Sequence, residues 1–187
     1  LSLGAIDRSV ELLREMDARA ETLSGELRAW SDVVRHTFRL AAAWHREDAV
    51  TARAALEALE ATGGSAVADH TMWSFRARVA LLSGESEEAL RALEHARARD
   101  DAWDSAAAAV ELLRVRALLA LDEREEALAA AATLIDRLEG ADPDEVPAGN
   151  RLETARDAAR AVGALPGGAD LARRALAVAA AAAIERI

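Results

Sequence analysis

The sequence has no cysteine, lysine, glutamine or tyrosine, and only 3 prolines in 187 residues. Without cysteine the chain has no disulfides, no thiolate nucleophile and no zinc–thiolate site. Aromatic residues make up only 3% of the chain, whereas alanine, the residue with the best intrinsic helix propensity, is abundant. The composition therefore predicts helix nearly throughout.

The charge is one-sided, since 33 acidic residues against 23 arginines give a formal net charge of −10. Nucleic acids and anionic lipids are bound by cationic surfaces that displace counterions. We therefore expect no direct nucleic-acid binding. The longest apolar run, residues 175–184, is far shorter than the roughly 20 residues that span a membrane, so we expect no membrane association and a cytoplasmic location.

Glycine and proline divide the chain into segments whose apolar residues recur at helical spacing. No segment alternates with period two, so the sequence predicts an all-α fold. The predicted helices cover residues 5–22, 26–46, 48–61, 66–83, 86–99, 102–121, 123–139, 150–163 and 168–186. One apolar stripe at this spacing comprises Leu27, Trp30, Val34, Phe38 and Ala41.

Local signals mark some helix ends. Asp122 with Glu125, and Asp101 with Asp104, place a carboxylate three residues after an oxygen acceptor, which resembles a capping box. The acidic, proline-bearing segment 140–149 is predicted to be a solvated connection between two helices. Helix 102–121 is apolar nearly all round, which is typical of an interior helix flanked on both sides.

The predicted helices come in pairs, and the second helices of the pairs open alike. The openings EDAV, EEAL, EEAL and DLAR align on Ala49, Ala89, Ala127 and Ala172. Each hairpin has an apolar face that only a stacked neighbour can bury. The sequence therefore predicts one repeat domain over 1–187, an α-solenoid of antiparallel hairpins. It comprises a partial copy at 1–24 and repeats near 26–62, 66–100, 102–140 and 150–187.

Segment 84–90 (GESEEAL), followed by Leu93 and Ala96, resembles the second half of a tetratricopeptide repeat. Trp73 falls where that family places its first-helix tryptophan. The repeats here are longer than the family's 34-residue unit. The chain is most similar to the longer, degenerate tetratricopeptide-like arrays of large bacterial transcription regulators and signalling proteins, which implies a right-handed superhelix.

No pattern in the chain carries catalysis. His36, His45, His70 and His95 form no zinc-protease or di-iron spacing, and no phosphate-binding glycine loop or nucleophile elbow occurs. The glutamate pairs at 87–88 and 125–126 fit the first turns of helices, where negative charge is favoured. We therefore expect no enzyme, no metal and no cofactor.

The tryptophans are open to two interpretations, core packing or an aromatic ligand pocket. Trp30 and Trp73 lie near the start of first helices, which favours a position wedged between repeats. Trp44 and Trp103 lie near helix ends, so we expect them to be partly exposed.

Arginines recur on the first helices. Arg78 and Arg116 each lie 11 residues before a repeat alanine (89 − 78 and 127 − 116), and the family resemblance implies that this position lines the concave groove. Arginine presents a planar fork that suits carboxylates. The candidate binding residues are therefore Arg78, Arg116 and Arg39, for an acidic peptide. The alternative is that they pair with carboxylates inside the array.

The functional expectation is a noncatalytic protein–protein interaction or sensor domain with a protein or peptide partner. The chain starts without methionine and ends in an unfinished helical pattern, so we expect a piece of a larger protein. A regulatory domain that binds a small ligand, and a helical linker to a cyclase-type signalling module, stay open as alternatives. A homodimer is a further possibility.

Overall fold

The computed structural model describes residues 3–20, 22–62, 69–97 and 104–185. Within these ranges the chain forms nine helices and no strand, which confirms the all-α prediction. The helices are α1 (Leu3–Ala20), α2 (Gly25–His45), α3 (Ala49–Ala61), α4 (Asp69–Leu82), α5 (Ser86–Arg97), α6 (Ser105–Ala120), α7 (Arg124–Glu139), α8 (Ala148–Gly163) and α9 (Ala169–Ile184). Gly63, Gly64, Asp101 and Trp103 lie outside the described residues.

Two helix starts are capped by aspartate side chains. The Asp48 carboxylate accepts from the backbone N–H of Thr51 at 3.0 Å. The Asp104 carboxylate accepts from the backbone N–H groups of Ala106 and Ala107 at 2.7 and 2.9 Å. The predicted cap at Asp122 is wrong, because α7 starts one residue later and Asp122 lies in the preceding turn.

The chain divides into two compact units, Leu1–Glu85 and Ser86–Ile187. In the first unit α2 contacts α1, α3 and α4, and α3 contacts α4. In the second unit α6 contacts α5, α7 and α8, as predicted for an interior helix, and α9 contacts α7 and α8. The arrangement of a solenoid over the whole chain stays a prediction.

The turns after α2, α4 and α6 have the same backbone conformation. Each contains one residue with positive φ: Glu47 (55°), Gly84 (75°) and Asp122 (62°). After each of these residues, the next N–H donates back to a carbonyl near the end of the preceding helix. These hydrogen bonds join Asp48 to Ala43 (3.0 Å), Glu85 to Ala80 (2.8 Å) and Glu123 to Leu118 (2.9 Å). The three turns therefore define a structural register for the repeats.

This register corrects one sequence alignment. Ala89 and Ala127 each lie five residues after their turn residue (89 − 84 and 127 − 122), and the residue at that position after Glu47 is Ala52, not Ala49. Ala52, Ala89 and Ala127 are all fully buried. The same four positions are buried in α3 (52, 55, 56 and 59), α5 (89, 92, 93 and 96) and α7 (127, 130, 131 and 134). The alignment by sequence was wrong because the acidic pair at the start of α3 precedes Ala49, whereas the buried alanine is Ala52.

The connection between α7 and α8 is less solvated than predicted. Val146 is fully buried and packs in a cluster with Leu134, Leu138 and Ala155. The acidic residues around it stay exposed, so the segment is an anchored loop.

Leu90 and Leu128, which directly follow the repeat alanines Ala89 and Ala127, are only partly buried. Both pack against a cluster that contains Val115, Ala127 and Val162. The second helices instead bury the leucines that follow the repeat alanine by four or seven residues. These include Leu93, with 1% of its surface exposed, and Leu134, which is fully buried.

Candidate functional site

The first candidate arginine, Arg39, is bound within its own unit. Its guanidinium donates to Asp17 on α1 at 2.6 Å, and Arg35 donates to the other oxygen of the same carboxylate at 2.6 Å. Arg35 also pairs with Asp32. Burial alone would raise the pKa of Asp17, but the hydrogen bonds from the two arginines outweigh it and hold that pKa below its ordinary value. The α1–α2 contact therefore includes a group of ion pairs, beside the buried apolar residues Leu13 and Ala20 of α1.

Arg78 is engaged differently. Its guanidinium carbon lies 5.8 Å from the ring centroid of Trp44, the range of a cation–π contact. Trp44 is partly buried, in line with the partial exposure that we expected. Arg39 and Arg78 thus contact different helices, α1 and α2 respectively.

Arg116 lies in the second unit and pairs with Asp157 on α8 at 3.0 Å. Both side chains are about a third exposed, at 36% and 37%. Asp157 also pairs with Arg160 on its own helix at 3.6 Å. The carboxylates of neighbouring helices therefore occupy Arg39 and Arg116, as the internal-pairing alternative describes.

The structural register shows that the three candidate arginines lie at two different positions relative to the turns. Arg78 and Arg116 each lie six residues before their turn residue (84 − 78 and 122 − 116). Arg39 lies eight residues before Glu47, the position that Arg76 and Arg114 hold before their own turns. Six residues before Glu47, α2 carries Ala41, so among α2, α4 and α6 an arginine occupies this position in α4 and α6 alone.

The apolar stripe of α2 lies largely at the surface. Leu27 is 68% exposed, Trp30 65% and Phe38 51%, and Val34 between them is partly buried. At 3.6 residues per turn these four residues share one face of the helix. We call this face the α2 stripe. The prediction that Trp30 lies wedged between repeats is wrong.

Phe38 is exposed at a position that the other first helices bury. It lies nine residues before its turn residue, as do Phe75 and Leu113 (84 − 75 and 122 − 113), which are only 8% and 3% exposed. Phe75 packs in the cluster that contains Leu56 and Leu59 of α3.

The position three residues earlier on each of these helices also differs between α2 and the other two. Arg35 on α2 corresponds to Met72 on α4 and Val110 on α6, which are both buried. The sequence signal for this difference was the polar residue at position 35, where the other first helices carry apolar residues.

The remaining exposed apolar residues are more scattered. Leu12 on α1 is 52% exposed and Val50 at the start of α3 is 81% exposed, while Leu176 and Ile184 on α9 are 54% and 71% exposed. Single exposed apolar residues are normal on a protein surface. Trp73, the other tryptophan expected between repeats, is partly buried and stacks under Arg76 at 4.3 Å.

The described residues contain no group of three or more histidine, cysteine, aspartate or glutamate side chains that could hold a metal ion. The paired glutamates lie in the first turns of α5 and α7, as predicted. None of the helices, over the part of the chain that is described, is long and apolar enough to cross a membrane.

Comparison with known proteins finds no matching family model, curated protein or solved structure. The tetratricopeptide-like resemblance therefore stays a prediction from the residues of segment 84–90 and Trp73.

Proposed function

We propose that this chain is a noncatalytic protein-interaction domain that binds its partner through the α2 stripe. The observation that carries the proposal is the joint exposure of Trp30 (65%) and Phe38 (51%) on one face of one helix. Contiguous exposed apolar surface typically marks an interaction site. Tryptophan is also among the residues that contribute most to binding at protein interfaces.

The energetics suit a macromolecular partner. Trp and Phe side chains bury about 150–250 Å² each, so the exposed parts of Trp30 and Phe38 offer roughly 250 Å² together. At about 25 cal/mol per Å², covering them stabilises a complex by about 6 kcal/mol before the costs of association. Those costs are about 4–15 kcal/mol. A partner must therefore cover Leu27 and the surrounding helix surface as well.

A small ligand fits this surface less well. Small-molecule sites usually enclose about 70–90% of the ligand, whereas the α2 stripe is one face of a single helix. The contacts of Arg39 and Arg116 also favour ion pairing within the chain over ligand binding, since these arginines pair with Asp17 and Asp157. As a wider setting, we propose an interaction or sensor arm of a larger bacterial regulatory protein, on the strength of the sequence resemblance.

The proposal is tested by affinity capture from cells that express the gene naturally, with three forms of the chain as bait. These are the unmodified chain, the double variant Trp30→Asp/Phe38→Asp, and the control Val50→Asp, which places one aspartate at an exposed apolar residue outside the α2 stripe. We expect the double variant alone to lose a specific partner. A partner that both variants retain would contradict the proposed surface.

A further inference from the structure

We propose that the α2 stripe accepts a helix of a partner protein that packs as a preceding first helix of the repeat would. This inference rests on the proposed function, since it names the pattern and direction of the segment that the stripe binds. It follows from the way in which the later first helices, α4 and α8, pack on the helix pairs before them.

Each of these two helices packs on both members of the preceding pair. α4 contacts α2 and α3, and α8 contacts α6 and α7. Leu40 of α2 lies in one cluster with Phe75 of α4, and Val115 of α6 lies in one cluster with Val162 of α8. Leu40 and Val115 each lie seven residues before their turn residue (47 − 40 and 122 − 115). A first helix is therefore covered by the preceding first helix as well as by the preceding second helix.

α2 has only part of this cover. It is preceded by α1, whose segment 4–13 resembles segment 84–93 at the start of α5, with a glycine first and apolar residues at the seventh and tenth positions. α1 therefore corresponds to a second helix, and the described residues contain no first helix before it. Leu12 of α1 aligns with Ala92, which is buried, yet Leu12 is 52% exposed. Both α1 and α2 thus leave apolar residues open where a first helix would pack.

The equivalent residues of α4 show which side of α2 faces this gap. Phe75, the counterpart of Phe38, lies in a cluster that contains residues of α2 as well as α3. Arg78, the counterpart of Ala41, lies 5.8 Å from the ring centroid of Trp44 on α2. The α2 stripe, which Ala41 continues, therefore lies where a preceding first helix would contact α2. Because Arg78 and Trp44 both lie near the C-terminal ends of their helices, α2 and α4 run in the same direction, and we infer the same direction for the occupant.

The occupant needs the apolar spacing of a first helix. On α2, the residues that pack in the cluster with Phe75 are Val33, Leu40 and Ala43, spaced by seven and three residues. The last two of these positions are apolar in all three first helices that the register aligns: Leu40 and Ala43, Ala77 and Ala80, and Val115 and Leu118. All six residues are at most 4% exposed, so a second copy of the chain cannot offer these faces. The pattern therefore favours a helix of another protein.

The charges beside the stripe select neither sign in the occupant. Glu26 and Arg28 flank the stripe with opposite charges and are both exposed, while Arg35 and Arg39 already pair with aspartates. The occupant is therefore recognised by its apolar face. Because salt screens interactions between exposed charges, an affinity that comes from apolar contacts is expected to change little with salt.

The test uses the full chain and labelled synthetic helical peptides without net charge. The matched peptide carries valine, leucine, alanine and tryptophan at the spacing of Val33, Leu40, Ala43 and Trp44, and the control peptide has the same composition with this spacing broken. Fluorescence anisotropy at low and physiological salt measures their affinities. We expect the matched peptide to bind at least tenfold more tightly, with less than a twofold change between the two salt concentrations.

Substitutions in the chain locate the bound peptide. Trp30→Ala is expected to weaken the matched peptide at least tenfold. Val50→Ala, the same kind of truncation at an exposed apolar residue of the same unit outside the stripe, is expected to leave its affinity unchanged. Circular dichroism checks that every variant is folded.

Cysteine crosslinking gives the direction of the bound helix. Because the chain has no cysteine, one introduced cysteine can form a disulfide at a single position. Glu26→Cys marks the N-terminal end of the stripe, and Ala41→Cys marks its C-terminal end. A peptide with an N-terminal cysteine is expected to crosslink several-fold more with the first variant, and a peptide with a C-terminal cysteine with the second. The reverse preference would overturn the inferred placement.

The remaining outcomes separate this inference from the proposed function. If both peptides bind alike and both depend on Trp30, the α2 stripe is still the binding surface and the first-helix pattern is wrong. Binding that ignores Trp30→Ala would refute the surface as well. If neither peptide binds at millimolar concentration, while affinity capture still yields a partner that depends on Trp30 and Phe38, the partner is not a helix of this pattern. A dimer in sedimentation that Trp30→Asp dissociates would instead assign the stripe to a second copy.

Discussion

Phe38 and Phe75 each lie nine residues before the positive-φ residue that follows their helix, yet Phe38 is 51% exposed and Phe75 only 8%. Phe75 is covered by α3. The helix before α2 instead contacts it through Asp17, which is held by Arg35 and Arg39. This part of the α1–α2 contact is polar, although α1 also buries Leu13 and Ala20, and the ring of Phe38 is left at the surface.

The structural register predicts different stability losses at two alanines of α3. Ala52 is fully buried, so Ala52→Leu overpacks the core and is expected to cost about 1–3 kcal/mol of unfolding free energy. Ala49 is only partly buried, so Ala49→Leu is expected to cost much less. Urea denaturation measures both. Equal costs would favour the sequence alignment on Ala49.

The sequence was sufficient to predict the helices, but not to predict which of their faces are covered by neighbouring helices. Periodicity fixes which residues share a helix face, and it found all nine helices of the described ranges. It cannot tell a covered apolar face from an uncovered one, so Trp30 was placed between repeats. Whether a face is covered depends on the neighbouring helix, and α1 offers Asp17 at the contact.

The repeat register was missed for a similar reason. Short acidic patterns precede Ala49, Ala89 and Ala127 alike, but acidic residues at a helix start reflect the local preference of the first turn. The turn hydrogen bonds, which set the register, involve backbone atoms that any residue provides. Only the positive φ of Gly84 has a sequence signal, because glycine adopts that conformation readily.

The leucines of the second helices are expected to differ in how much unfolding free energy is lost when they are truncated to alanine. Leu93 and Leu134 are at most 1% exposed, and truncation of such residues to alanine typically costs about 2–5 kcal/mol. Leu90 and Leu128 are partly buried, so their alanine variants are expected to lose less. The ranking is read from urea midpoints. Greater losses at Leu90 and Leu128 would mean that the assigned packing of α5 and α7 is wrong.

The arginine ion pairs are expected to contribute little to stability. Arg116 and Asp157 are 36% and 37% exposed, and such pairs contribute at most about 1 kcal/mol. Arg116→Ala should therefore lower the melting temperature only slightly. If the variant also leaves partner binding unchanged, Arg116 is a structural residue. A several-fold loss of binding would restore the groove prediction for this residue.

The first unit is expected to lose stability in mild acid. Burial lowers the pKa of His36, and the charges of Arg39 and Arg35 lower it further, beyond the opposing effect of Asp32 and Asp17. The unfolded chain binds a proton near pH 6.5, so stability falls as the pH drops below that value, until the folded-state pKa is reached. His36→Gln should flatten this part of the pH profile of the melting temperature. An unchanged slope would show that other groups cause it.

The most direct measurement of the binding surface is site-specific photo-crosslinking in cells that express the gene naturally. A benzophenone amino acid replaces Trp30 in one variant and Val50 in another, both exposed apolar residues of the first unit. The account predicts a discrete crosslinked partner from position 30 and none from position 50. Crosslinks of equal yield from both positions, or a partner captured from position 50 alone, would contradict the claim that the α2 stripe binds the partner.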